Sequence, residues 1–71
     1  MIIMYRICTK FETIYTHEQH VSVVGTETLE DARDFFIRTI TNPEVKLCVI
    51  DKVQRVDDEA CTKIIASYKP I

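Results

Sequence analysis

Glycine is nearly absent, with Gly25 the only one in 71 residues. A phosphate-cradling P-loop or a dinucleotide fingerprint needs several, so neither is encoded. Proline occurs twice, tryptophan not at all and cysteine three times. Those scarcities exclude collagen-like, low-complexity and disulfide-scaffold chains. Long apolar runs are also missing. The longest, residues 1–4 and 45–50 with Lys46 inside the second, fall far short of the roughly 18 residues of a membrane span. No signal-peptide pattern opens the sequence, and the expectation is a cytoplasmic protein with no membrane role. Neither sign of charge dominates: nine Lys and Arg stand against eleven Asp and Glu, with a pI near 5.6. That balance lacks the overall basic character of most nucleic-acid-binding domains. Cys8, Cys48 and Cys61 cannot all pair within one chain and form no CxxC element. They read as reduced thiols that behave as small hydrophobes.

What is abundant is β-branching, with ten Ile, seven Val and eight Thr. Such residues favour strands wherever the pattern permits. Ile3, Tyr5, Ile7, Thr9 and Phe11 alternate with Met4, Arg6, Cys8, Lys10 and Glu12, a period-two strand with one apolar face. Residues 20–25 continue the alternation through Val21 and Val23, and the two segments form a hairpin that lacks an Asn-Gly or Asp-Gly turn. Thr28 followed by Asp31 resembles a capping box at a helix start. Leu29, Ala32, Phe36 and Ile40 then share one helical stripe flanked by Phe35 and Ile37, with Glu30, Asp31, Asp34 and Arg38 on the back. Asn42-Pro43 stops the helix. Residues 45–52 read as a third strand, with Val45, Leu47 and Val49 on the inner face. Residues 62–69 read as a fourth, the alternative being a C-terminal helix over 57–68.

The expected architecture is a single α+β domain over residues 1–71, a two-layer ββαββ sandwich in which one helix packs on a mostly antiparallel four-stranded sheet. The alternative order is ββαβα. A right-handed crossover makes the second and third strands parallel, with the first inserted between them. The helix covers one sheet face, against Ile3, Tyr5, Ile7, Val21, Val23, Val45, Leu47, Val49, Ile64 and Tyr68, and the other face stays bare. A chain of this length buries only about 60% of its unfolded surface, so homo-oligomerisation or partner-dependent stability is expected.

Strict alternation places Arg6, Lys10, Lys46 and Lys52 on the bare face, and Lys63 and Lys69 join them if Ile64 and Tyr68 point inward. Arg6, Lys10, Lys46, Lys52 and Lys63 are the candidate binding residues, for an acidic protein, a nucleic acid or a phosphorylated ligand. Solubility and edge protection account for such a face equally well. Tyr5 and Phe11 phase inward, and the exposed aromatics that stack bases are wanting. The segment His17-Glu18-Gln19-His20 spaces its histidines three apart in a loop, unlike a helical zinc motif, and no metal or cofactor is assigned. Cys8 falls on the same strand face as Arg6 and Lys10, which permits a modestly activated thiol, although an inert strand cysteine is the plainer reading. Asp57, Asp58 and Glu59 make a solvated turn or helix start.

Compact, glycine-poor ββαββ chains of this length resemble the small accessory proteins of phages and mobile elements, a likeness of overall texture. It implies an inhibitor or adaptor that occupies a partner's surface. The expected function is therefore a non-enzymatic protein-protein interaction module, with an anion-binding module for nucleic acid or nucleotide as the alternative.

Overall fold

The computed structural model describes residues 2–70. Its elements run β1 (Ile2–Glu12), β2 (Gln19–Thr26), α1 (Leu29–Ile40), β3 (Val45–Val56) and β4 (Glu59–Tyr68). All three pairings are antiparallel, in the order β2-β1-β3-β4. The fold is the expected ββαββ, with β1 between β2 and β3. Residues 59–68 form a strand, which removes the alternative with a C-terminal helix.

Each end of α1 is set by local chemistry. Thr28 sits in extended geometry, and its hydroxyl accepts the Asp31 N–H at 3.2 Å, satisfying one of the amides that a helix start leaves unpaired. Glu30 and Asp31 in the first turn and Arg38 in the last complement the helix dipole. At the far end the Thr41 hydroxyl donates to the Arg38 carbonyl at 2.7 Å, and the Asn42 side chain accepts the Glu44 N–H at 2.9 Å. Pro43 has no amide to continue the helix. Ala32 is the helix residue with no exposure, because its small side chain lets α1 approach the sheet closely. Phe35, Phe36 and Ile40 pack around it, half-buried.

The β1–β2 hairpin closes without glycine. Thr13 organises the connection: its N–H donates to the Glu18 carbonyl, its carbonyl accepts the His17 N–H, and its hydroxyl accepts the Glu18 N–H. His17 takes φ 58 to make the reversal. That loop pairs Glu12 with Gln19, and the register follows: Ile7 lies opposite Val24 and Thr9 opposite Ser22. Opposed residues share a face, so Val24 turns toward the helix while Val21 and Val23 turn away, 72% and 60% exposed. The expected inward phase of Val21 and Val23 is thus corrected. Loop length fixed the register, and either phase presents valines.

A second correction concerns β3. Lys10 pairs with Leu47 but Phe11 pairs with Val45, so Lys46 is the extra residue of a β-bulge. The bulge inverts the alternation: Val45 points inward, and beyond it Cys48 and Ile50 are buried in place of Leu47 and Val49. A further shift between Ile50 and Asp51 leaves Ile65 as an extra residue in β4, with Ala66 and Tyr68 toward the helix and Ile64 on the opposite face beside Asp51. The core comprises Ile7, Thr9, Ala32, Val45, Cys48 and Ile50, with Tyr5, Phe11, Val24, Phe35, Phe36, Ile40, Ala66 and Tyr68 packed against it. Thr9 is the one buried polar side chain among the described residues, and its hydroxyl lies 3.5 Å from Cys48 Sγ. Burial pushes the Cys48 thiol up, against a smaller opposing effect of that contact, and keeps it protonated and inert.

Candidate functional site

The twelve residues of α1 span about 18 Å at 1.5 Å per residue, whereas the molecule is 45 Å long. The helix packs on β1, β2 and β3 and leaves one whole face of the sheet bare. From the registers, that outer face carries Met4, Arg6, Cys8 and Lys10 of β1, Val21 and Val23 of β2, Leu47, Val49, Asp51 and Val53 of β3, and Ile64 of β4. The corrections above change its character. Val24 and Ile50 lie inside, whereas Val21, Val23, Leu47, Val49 and Ile64, expected in the core, are outside. The outer face is a lane of exposed and half-buried aliphatic side chains with charges set into it.

Those charges are not one continuous basic patch. Arg6 faces Asp51 directly across the β1–β3 pairing, Nε to Oδ1 at 3.0 Å and Nη2 to Oδ2 at 2.6 Å. This two-pronged pairing raises the Arg6 pKa, first through the hydrogen bond and then through the attraction of the carboxylate. It also neutralises the cation at the centre of the sheet, where the planar guanidinium matches the carboxylate in geometry. Strand phasing leaves the pairing illegible, because Asp51 lies on the face expected for Lys46 and Lys52 only after the bulge is counted.

Lys10 and Lys46 do come together. With Lys69 they line a shallow groove of about 370 Å³ at one end of the outer face, shared with Glu12, Gln19 and Leu47. The bulge that misplaced the rest of β3 is what brings Lys46 to this corner. Lys52 and Lys63 do not join it. Lys52 pairs with Tyr5 on one side and with Lys63 on the other, which puts both lysines on the helix-side face, beyond the end of the core. Of the five candidates, two share the groove, one is paired and two lie on the opposite face; Lys69 completes the cluster.

The remaining candidates are dispersed. His17 and His20 flank the first hairpin, with His17 Nδ1 3.8 Å from Glu12 Oε1. Among the described residues no three His, Cys, Asp or Glu side chains are grouped to hold a metal ion. Cys8 is half-buried on the outer face and Cys61 exposed on β4. Tyr15 is exposed at the tip of the first hairpin, away from the sheet, whereas Tyr5 and Phe11 pack inward. No helix of the described residues is long and apolar enough to cross a membrane. Comparison of the chain with family models, with curated proteins and with solved structures yields no match.

Proposed function

We propose that this protein is a small non-enzymatic interaction module, an inhibitor or adaptor of the accessory kind, that covers an acidic patch on another protein with its bare sheet face. The observation that carries the reading is the juxtaposition on that face of an aliphatic lane, Val21, Val23, Leu47 and Val49, with the three lysines of the adjoining groove. Apolar area supplies affinity when water is excluded, and a cationic rim steers an acidic surface into register. The exposed side of α1 is mixed instead, with Glu30, Asp31 and Asp34 beside Arg33 and Arg38 and Asp34 paired to Arg38 at 2.8 Å, so it has no comparable cationic cluster.

The test compares the proteins retained from a host lysate by the immobilised chain and by its Lys10→Glu/Lys46→Glu form, with Glu30→Lys/Asp34→Lys as control. All four side chains are exposed, so neither variant disturbs the core; the control also loses the Asp34–Arg38 ion pair, and circular dichroism checks that both forms fold. The expected result is one protein with an acidic surface, lost from the groove variant, kept by the control and released by salt, since exposed charges are screened beyond about 8 Å at physiological ionic strength. Equal retention by the groove variant, or loss only from the control, defeats the proposal.

A second reading, anion binding, rests on the same three lysines. It predicts a labelled oligonucleotide retained by the chain and lost from the groove variant. Among the described residues the outer face carries no exposed aromatic ring, which removes the usual stacking platform and places this reading second.

A further inference from the structure

The free edge of β4 is self-complementary in a way that does not depend on the outer face. We propose that a second copy of the chain pairs antiparallel with β4, on a twofold axis through Cys61.

Backbone geometry fixes which groups are available. β3 and β4 are joined by Asp57 and Asp58 alone, and a two-residue connection closes on a hydrogen-bonded pair, here Val56 with Glu59. Alternation then turns the N–H and C=O of Glu59, Cys61 and Lys63 toward β3, and those of Ala60 and Thr62 toward solvent. The stretch is exposed throughout, and α1 packs on β1, β2 and β3 without covering it. The bulge at Ile65 interrupts the edge beyond, as bulges do where strand pairing must stop.

Within that regular segment, a twofold axis at Cys61 places Ala60 opposite the partner's Thr62, so the outward groups of each pair exchange N–H···O bonds. Glu59 falls opposite the partner's Lys63, and Lys63 opposite the partner's Glu59. The side chains share the face on which Lys52 lies directly beside Lys63. Like charges so placed repel, and Lys52, Lys63 and Glu59 form no ion pair among the described residues. A second copy therefore sets a carboxylate beside each unrelieved pair of lysines. An axis at Lys63 would instead oppose two lysines, and the β2 edge, Gln19–Thr26, carries no Asp, Glu, Lys or Arg to define a register.

Cys61 reports the register. On the axis it meets its counterpart in a non-hydrogen-bonded pair, with Cα atoms about 4.5 Å apart, inside the range a disulfide spans. The experiment uses the full chain with Cys8→Ser, which leaves Cys61 as the accessible thiol because Cys48 is buried. Diamide accepts the two electrons and two protons released as two Cys61 thiols become one disulfide. The covalent dimer is followed on a non-reducing gel, and sedimentation without oxidant follows the reversible one. Glu59→Lys and Lys63→Glu should each slow cross-linking about three- to tenfold, and Glu59→Lys/Lys63→Glu, which restores the opposite charges, should recover the rate. Equal rates in all four charge backgrounds, or no cross-linked dimer at all, overturn the proposal. Melting curves check that each variant is folded.

Discussion

Ile50 and Ile64 stand on neighbouring strands a few residues apart in the pairing, yet one is 1% exposed and the other 67%. The contrast extends to the regions around them. Beneath α1, side chains from β1, β2 and β3 meet Ala32, Phe35 and Phe36 in a closed core. Beyond the helix, the β3–β4 ribbon runs out to Asp57 and Asp58 with every residue from Arg55 to Ile65 exposed. Both regions are antiparallel sheet with strand-favouring residues. Strand propensity builds the ladder in each, but only the helix removes apolar surface from water, and that burial supplies the dominant stabilisation. The bare regions are correspondingly free to meet other molecules.

Truncation in the two regions offers the largest contrast. Ile50→Ala should destabilise by about 2 to 5 kcal/mol, comparable to the whole stability of so small a domain, and leave the chain largely unfolded. Ile64→Ala should stay within about 0.5 kcal/mol of the parent. Denaturant titration of both measures the difference, and equal losses would show that the hairpin beyond the helix is part of the core.

The thiols sharpen the same comparison chemically. Folding raises the Cys48 pKa, so its contribution to stability is present below the unfolded thiol value of about 8.5 and is lost as pH rises through the higher folded value. Between pH 8 and 10 the native chain should lose stability more steeply than Cys48→Ala. Parallel pH profiles for the two would place Cys48 outside the core. In the native state Cys61 should react with an alkylating reagent first, and Cys48 only as fast as the protein opens.

Smaller effects probe the edges of the covered region. Removing the Thr28 hydroxyl with Thr28→Ala should cost about 1 kcal/mol, read from the denaturation midpoint, because the Asp31 amide loses its partner. In the bare hairpin, Lys52→Glu should stabilise by up to about 1 kcal/mol by replacing a repulsion with Lys63 by an attraction. A gain that persists in high salt would mean that relief of charge repulsion is not its cause.

The parts of the fold that were legible rest on short-range chemistry. Thr28 and Asp31 mark the helix start, Asn42-Pro43 its end, and Ala32, Phe36 and Ile40 of the stripe its packed side. β4 was the preferred reading over a C-terminal helix, and it begins at Glu59, ahead of the expected Thr62, because the turn needs only Asp57 and Asp58. At the candidate site, the placement of Lys10 and Lys46 on one face was legible and the position of Lys52 was not. Nothing in residues 45–50 marks Lys46 as a bulge, since Leu47 and Val49 compete with Cys48 and Ile50 for the core on equal hydrophobic terms.

The sequence by itself therefore determined the kind and order of the first four elements, which follow from alternation, capping and proline within a few residues of each position, and left the last between strand and helix. The tertiary structure alone decided which faces of β2 and β3 turn inward, that Arg6 meets Asp51, and which charges the outer face carries. The physical reason is that a one-residue slip or a single bulge moves every later side chain to the opposite face. When both faces of a strand are apolar, only the packing of the whole sheet against the helix chooses between them.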